Sequence, residues 1–369
     1  MRKFPFLCLL FFLAGCGNAQ VKEATTHSLQ SPTLTTHQAD LIFDKAKVFP
    51  EATQLAVAII RNGKLSFAGT IRQGDSLVLV DNRQSAFEIG SITKVFTSTL
   101  LAHAVVSKGL VVHESINKYL PFALKDDTPI TFEQLANHTS GLPRMPSNFQ
   151  LSAFMNPGNP YKNYTEEKLK EYLTKEMRLE HNPGQESSYS NLGAGLLGYT
   201  ITKYNGKDFE TLLRDQVFSP LGMAHTTTLR EQLSATLIKG LSETGKEVSN
   251  WDLSALAGAG GILSTAEDMS KFALAQFDTS NLALALTQKE TFRINDKMGV
   301  GLGWHLLYDS PEATWLWHNG GTGGYTSSMA LDIERKNGVI LLSNVSAFSR
   351  HMKNIDELCF ALMRTLATP

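Results

Sequence analysis

Ser91 and Lys94 are the residues of this chain whose types and spacing most directly suggest chemistry. They stand three apart in Ser91-Ile92-Thr93-Lys94, where Phe87-Glu88-Ile89 gives way through Gly90 to a long helix-like run. On a helix, positions i and i+3 share a face, so the lysine nitrogen comes within hydrogen-bonding reach of the hydroxyl. A serine is a poor nucleophile until a base takes its proton, and a lysine whose pKa falls on burial is such a base. The helix start adds a dipole that favours developing negative charge. Alone the pattern says little. Ser115-Ile116-Asn117-Lys118 repeats it, and the plain reading of any such pair is a solvated helix face.

Two further motifs follow in order. Tyr189-Ser190-Asn191 comes after Asn182-Pro183-Gly184 and before an apolar, helix-like run from Leu192 to Ile201. His318-Asn319-Gly320-Gly321-Thr322-Gly323-Gly324 lies between Trp315-Leu316-Trp317 and a second strand pattern, Tyr325 to Ile333. Another tyrosine triplet, Tyr161-Lys162-Asn163, sits in a Pro- and Asn-rich loop and reads as a decoy. The ordered set resembles the penicillin-recognising serine hydrolases: class C β-lactamases, D-alanyl-D-alanine peptidases and their esterase relatives. The resemblance runs from about Asp40 to about Leu366. It takes in Ile130-Thr131 to Leu135, His138-Thr139-Ser140-Gly141-Leu142, Pro220-Leu221-Gly222-Met223 and Gly260-Gly261-Ile262-Leu263-Ser264-Thr265.

That resemblance implies a mechanism. Ser91 attacks a carbonyl carbon and forms an acyl-enzyme that water resolves. Lys94 and Tyr189 share the base role. A tyrosine normally titrates near pH ~10, so it acts as base only where a cation, here Lys94, favours the phenolate. The oxyanion lies between the backbone amides of Ser91 and Gly321, and glycine at 321 lets the strand approach the substrate. Asn191 binds the acyl amide, His318, Asn319 and Gly320 contact the substrate, and the edge from Trp317 to Gly323 pairs with an extended peptide. His138 is expected to hydrogen-bond its own loop.

One departure limits the functional reading. Class C β-lactamases have Lys-Thr-Gly where this chain has His318-Asn319-Gly320. A histidine is mostly neutral at pH ~7 and attracts a carboxylate weakly, and Asn319 replaces a hydroxyl. The KM for carboxylate substrates should then fall as pH drops toward the histidine pKa. The function expected is an envelope serine hydrolase acting on peptidoglycan peptides as a D-alanyl-D-alanine carboxypeptidase or endopeptidase. A class C-type β-lactamase is the alternative, followed by an esterase or D-amino-acid amidase, and by a penicillin-binding sensor without turnover.

The 369 residues allow a sizeable core. A formal net charge of −1 gives no reason to expect a nucleic-acid partner. Met1-Arg2-Lys3 and the apolar run from Phe4 to Ala14 read as a secretion signal, ending Leu13-Ala14-Gly15-Cys16. This resembles a lipoprotein signal over 1–15 with Cys16 as the lipidated residue, hence a membrane-anchored, periplasm-facing protein. Gly17 in place of aspartate points to the outer membrane. Residues 16–39 read as a tether, rich in Thr, Ser and Gln, ahead of a hydrolase domain over 40–366. Of three cysteines, Cys359 falls in an apolar helical stripe and no internal disulfide is expected. The ten histidines show no metal-ligand spacing, and no metal or cofactor is expected. Gly193-Ala194-Gly195-Leu196-Leu197-Gly198 fits a dinucleotide fingerprint as text, but no buried strand precedes it, so close helix packing is the better account.

Asn62-Gly63 between two apolar runs signals a hairpin, and Asn337-Gly338 is expected to turn the last pair of strands. Gly301 to Trp304, Thr314 to Trp317, Tyr325 to Ile333 and Val339 to Ser343 read as strands. Ser349 to Leu366 reads as an amphipathic helix. Strands at both ends and helices between them predict an α/β (α+β) fold. Its antiparallel sheet is flanked by helices and interrupted by a mostly helical insertion over about 112–252.

Overall fold

The computed structural model describes residues 22–310 and 313–366. Twelve strands form in chain order: β1 Thr26–Ser28, β2 Gln54–Arg61, β3 Lys64–Gln73, β4 Ser76–Leu79, β5 Ala86–Glu88, β6 Leu263–Thr265, β7 Phe292–Asn295, β8 Met298–Val300, β9 His305–Ser310, β10 Ala313–Gly321, β11 Thr326–Asp332 and β12 Asn337–Ser343. Ten of them make one sheet in the order β1-β4-β3-β2-β12-β11-β10-β9-β8-β7, and β5 pairs with β6 apart from it. All neighbours are antiparallel except β1 and β4. Among the described residues no named strand lies between Glu88 and Leu263, and helices fill that interval.

The inner strands β2 and β12 are apolar between their end residues because both faces of the sheet are covered. Leu55, Val57 and Ile59 of β2, with Val339 and Leu341 of β12, pack under the helices Thr36–Ala46 and Lys353–Arg364. Ala56, Ala58, Ile60, Ile340 and Leu342 alternate to the other face. There they meet the helices Thr93–Lys108 and Ala266–Gln276, whose Phe96 and Phe272 rings stack at 4.1 Å. Cys359 is fully buried and free, as a core position.

Local signals explain most boundaries. Asn62 and Gly63 both have positive φ, 50° and 76°, and turn β2 into β3. Gly109 at φ 69° closes the helix Thr93–Lys108. Gly195 and Gly198 serve close packing: a Cβ on Gly195 would lie 2.5 Å from Leu256 Cδ2, and one on Gly198 3.0 Å from Gly258 Cα.

Three expectations need correction. Residues 16–39 are not a tether throughout. Thr26–Ser28 pairs with β4, Leu29 is buried, and a capping box between Thr35 and Gln38 starts a packed helix. The last hairpin turns before Asn337, at Lys336 with φ 52°, because the Asn337 side chain is needed to donate to the Leu366 carbonyl. Residues 301–304 form the tight link between β8 and β9, with Gly303 at φ 77° against the Lys94 carbonyl. The signal at 1–15 and Cys16 lie outside the described residues. Among the described residues no helix is long and apolar enough to cross a membrane.

Candidate active site

Ser91 sits in a single 3-10 turn, Gly90–Ile92, that runs straight into the helix Thr93–Lys108. Gly90 adopts φ 51°, and a Cβ there would stand 2.5 Å from the Gly321 nitrogen. The missing side chain therefore brings the Gly321 amide against the turn that carries Ser91. A Cβ on Gly320 would strike the Ile89 carbonyl oxygen in the same way. The Ser327 hydroxyl of β11 donates to that oxygen at 2.8 Å. Two glycines and one hydroxyl clamp the strand to the nucleophile turn.

Lys94, 2% exposed, points from the first helical turn into the site. Its Nζ lies 3.0 Å from Ser91 Oγ, 2.9 Å from Asn191 Oδ1 and 2.6 Å from the Ala259 carbonyl oxygen. Burial, assisted by the positive charge of Arg144, holds its pKa well below the ordinary lysine value. A neutral amine has two N–H bonds and one lone pair. Asn191 and Ala259 can only accept and take both N–H bonds, so the lone pair is left facing the serine hydroxyl.

Tyr189 completes the group. Its ring lies 4.8 Å from Lys94 Nζ, and its phenol hydrogen-bonds the Ser91 hydroxyl. Burial raises its pKa above the ordinary phenol value. The lowered lysine pKa and the raised phenol pKa make Lys94 the better candidate for the base and leave Tyr189 placed to relay a proton. Its position is held from both sides. Ser190 N donates to His138 Nδ1 at 3.2 Å, and Ser190 Oγ caps the helix Asn191–Asn205 by accepting from Gly193 N at 2.8 Å. His138 thus braces the Tyr189–Asn191 segment rather than its own loop.

On β10 the side chains alternate. His318, 1% exposed, faces the Tyr189 ring at 6.3 Å. Asn319 points the other way and donates to Asp356 Oδ2 at 2.6 Å on the helix behind the sheet. Asn319 is therefore not at the substrate face. β9 pairs with β10 only as far as Trp317↔His305, so His318 to Gly321 pair on one edge only, with β11. The face carrying Gly320 and Ser327 lies against the serine turn.

His318 also differs from the expectation of a pH-sensitive cation. Its Nδ1 lies 2.6 Å from the Asn319 carbonyl oxygen, which can only accept, so Nδ1 carries the proton. Burial pushes its pKa well below the ordinary histidine value. The ring is neutral, and its buried Nε2, without a partner, presents a lone pair.

Other residues at the site were not singled out from the sequence. His305, at the start of β9, lies 5.3 Å from the His318 ring, and burial takes its pKa down to about 4. Tyr161, set aside as a decoy, lines the pocket beside Ser91, with its hydroxyl 3.4 Å from Asn191 Nδ2. Trp251 closes the same wall, 5.3 Å from the Tyr161 ring. Its backbone N–H donates to Glu88 Oε1 at 2.9 Å, a buried carboxylate whose pKa burial raises. Arg144 lies over the Tyr189 ring at 5.0 Å. Each comes from a segment remote in sequence. The true decoy, Ser115, caps a 3-10 turn, while Lys118 pairs with Glu114 at 3.1 Å on the surface. Among the described residues no group of three His, Cys, Asp or Glu side chains could hold a metal ion.

Comparisons with known proteins give the chain's family and fold. The family model described as Beta-lactamase matches residues 45–359. The D-alanyl-D-alanine-carboxypeptidase/endopeptidase AmpH of Escherichia coli K12 is 26% identical over 377 residues, covering 95% of this chain and 94% of that protein. A beta-lactamase of Pseudomonas fluorescens is 28% identical, covering 68% of this chain and 69% of its own length. Among solved structures, a beta-lactamase/D-alanine carboxypeptidase from Pseudomonas syringae superposes with a TM-score of 0.72 at 21% identity, covering 90% of this chain and 100% of its own. The octameric penicillin-binding protein homologue from Pyrococcus abyssi does so with 0.76 at 21%, covering 90% of this chain and 77% of its own.

Proposed function

We propose that this chain, which belongs to the Beta-lactamase family, is a serine hydrolase that opens D-alanyl-D-alanine-type peptides of peptidoglycan through an acyl-enzyme. The observation that carries the reading is the buried Lys94 Nζ, 3.0 Å from Ser91 Oγ and held by the acceptors Asn191 Oδ1 and the Ala259 carbonyl. Lys94 takes the serine proton as Oγ bonds to the carbonyl carbon. The oxyanion forms toward the amides of Ser91 and Gly321, donors of the kind worth about 3 to 4 kcal/mol when one is lost. Tyr189, beside the serine, passes its phenolic proton to the leaving nitrogen as the scissile C–N bond breaks, and the proton that Lys94 took from Ser91 restores the phenol. Water then adds to the ester carbon and Ser91 leaves with a proton returned by the same relay.

The end-to-end match to AmpH supports the carboxypeptidase or endopeptidase reading. Hydrolysis of β-lactams by the same residues is the second reading, favoured by the match to the Pseudomonas fluorescens beta-lactamase. A time course with a fluorescent penicillin tests both. A transient label on Ser91 supports turnover, a permanent label points to a sensor, and no label at all sinks both readings.

The proposed setting is the cell envelope, with Cys16 lipidated and the enzyme facing the periplasm from the outer membrane. Cys16→Ser should move the protein from the membrane fraction to the soluble one with kcat and KM unchanged. Retention in the membrane fraction would contradict that anchor.

A further inference from the structure

The site has lost the cation expected on β10. His318 is neutral, buried and presents a lone pair, so it repels a carboxylate rather than attracting one. A substrate with a carboxylate in its leaving half would need a positive charge from another segment. Arg144 supplies one. Its guanidinium lies 5.0 Å from the centre of the Tyr189 ring, and among the described residues no carboxylate pairs with it. The residue as a whole is exposed, so the charge is open to a ligand.

The backbone that carries it is fixed to the catalytic segment. The Arg144 carbonyl accepts from Asn191 N at 3.0 Å and Leu192 N at 3.3 Å, and the Pro143 carbonyl accepts from Ser190 Oγ at 2.7 Å. The next residue, Met145, holds its sulfur 3.7 Å from both Asn191 Nδ2 and the Tyr161 hydroxyl. A rigid backbone with an unpaired, planar, forked cation is what bidentate recognition of a carboxylate requires. The charges that act on Lys94, Tyr189 and His138 include Arg144 and no carboxylate, so its field is uncompensated there.

We propose that Arg144 binds a carboxylate on the leaving half of the substrate, taking over on the loop after His138-Thr139-Ser140-Gly141-Leu142 the task that β10 no longer performs. The side follows from Tyr189: the cation stacks on the residue that protonates the leaving group. This deepens the acyl-enzyme reading and rests on it for the position of the leaving half. The substrate class is then anionic at that end: a peptide ending in a free D-amino acid or an acid of similar reach, and not its ester or amide.

The test uses aryl boronic acids, which bond covalently to an activated serine without needing turnover. A pair is compared, one bearing a carboxylate and one the matching carboxamide, as inhibitors of the hydrolysis of a neutral chromogenic acetate ester. The full-length protein should bind the carboxylate member at least tenfold more tightly, with the gap shrinking as salt is raised. Arg144→Ala should remove that preference, weakening the carboxylate member at least tenfold more than the carboxamide member; Arg144→Lys should restore part of it. Equal binding of the pair by the wild type overturns the proposal. Equal weakening of both members by Arg144→Ala also overturns it, because packing on Tyr189 would explain that result. If no penicillin label forms yet the boronate preference depends on Arg144, the peptide and β-lactam readings fall and the carboxylate site stands.

Discussion

Ser327 donates its hydroxyl proton to the Ile89 carbonyl oxygen at 2.8 Å, and so fastens the sheet to the turn that presents the nucleophile. The same oxygen fills the space where a side chain on Gly320 would be. Gly320→Ala should therefore force β10 away from Ser91 and misplace the Gly321 amide. Losing one oxyanion donor costs about 10²- to 10³-fold, so the second-order rate of penicillin labelling should fall by that factor. Ser327→Ala removes a single hydrogen bond of about 1 kcal/mol and should cost about fivefold. Circular dichroism should show both variants folded; a Gly320→Ala protein that labels at the wild-type rate contradicts the clamp.

Asn191→Asp tests whether Lys94 works as a neutral amine. A carboxylate at the present position of Oδ1, 2.9 Å from Nζ, favours the ammonium form and raises the lysine pKa. In the wild type that pKa is lowered by burial, so labelling should be supported at neutral pH and lost only as pH falls through the lowered value. In Asn191→Asp the rising limb of the pH-rate profile should move to higher pH, with at least a hundredfold loss near pH ~7. An unmoved limb would mean that Lys94 is not the titrating base.

Tyr189→Phe and Lys94→Met should each slow acylation by about 10³-fold or more, and the double variant by little more than the worse single one. Groups that pass one proton between them are non-additive. Strict additivity in stopped-flow acylation would show two independent contributions.

Ser91→Ala should abolish labelling with the thermal midpoint little changed, since the hydroxyl lies in a cleft. Ser115→Ala, the same motif on the surface, should leave labelling intact and cost only the cap it gives Asn117 N. Mass spectrometry of the labelled peptide decides between them.

His318 should be silent to pH in the range where an ordinary histidine titrates. Burial lowers its pKa, so the ring gains a proton only as pH falls well below that range. The ratio of kcat/KM for a carboxylate substrate to that for its neutral ester should stay flat between about pH 5.5 and 8. A ratio rising toward the acid end would restore His318 as a cation.

The catalytic group was legible where its members are local. Ser91 and Lys94 share one helical face, and Tyr189 and Asn191 flank a helix cap, so the ordered set of local motifs and the family it resembles placed them. Asn319 was misplaced although the strand period could have corrected it, since His318 and Gly320 on one face put Asn319 on the other. The residues 26–38 were read as tether from composition, while Thr35-Thr36-His37-Gln38 carried a capping-box pattern. Arg144, Tyr161, Trp251 and His305 had no such signal. Each sits in a loop or at a strand end, and only the packed tertiary structure brings them within reach of Tyr189, Asn191 or one another.

The strand order also sets a lever arm. β1, where the N-terminal segment joins the sheet, lies at one edge, and β10 is reached after β4, β3, β2, β12 and β11. Six strand spacings of about 4.8 Å put the reacting edge about 29 Å across the sheet from the point where any lipid leash would pull. Under the proposed Cys16 anchor the enzyme would work at arm's length, with the bilayer holding one rim and the opposite half of the sheet left to reach a substrate.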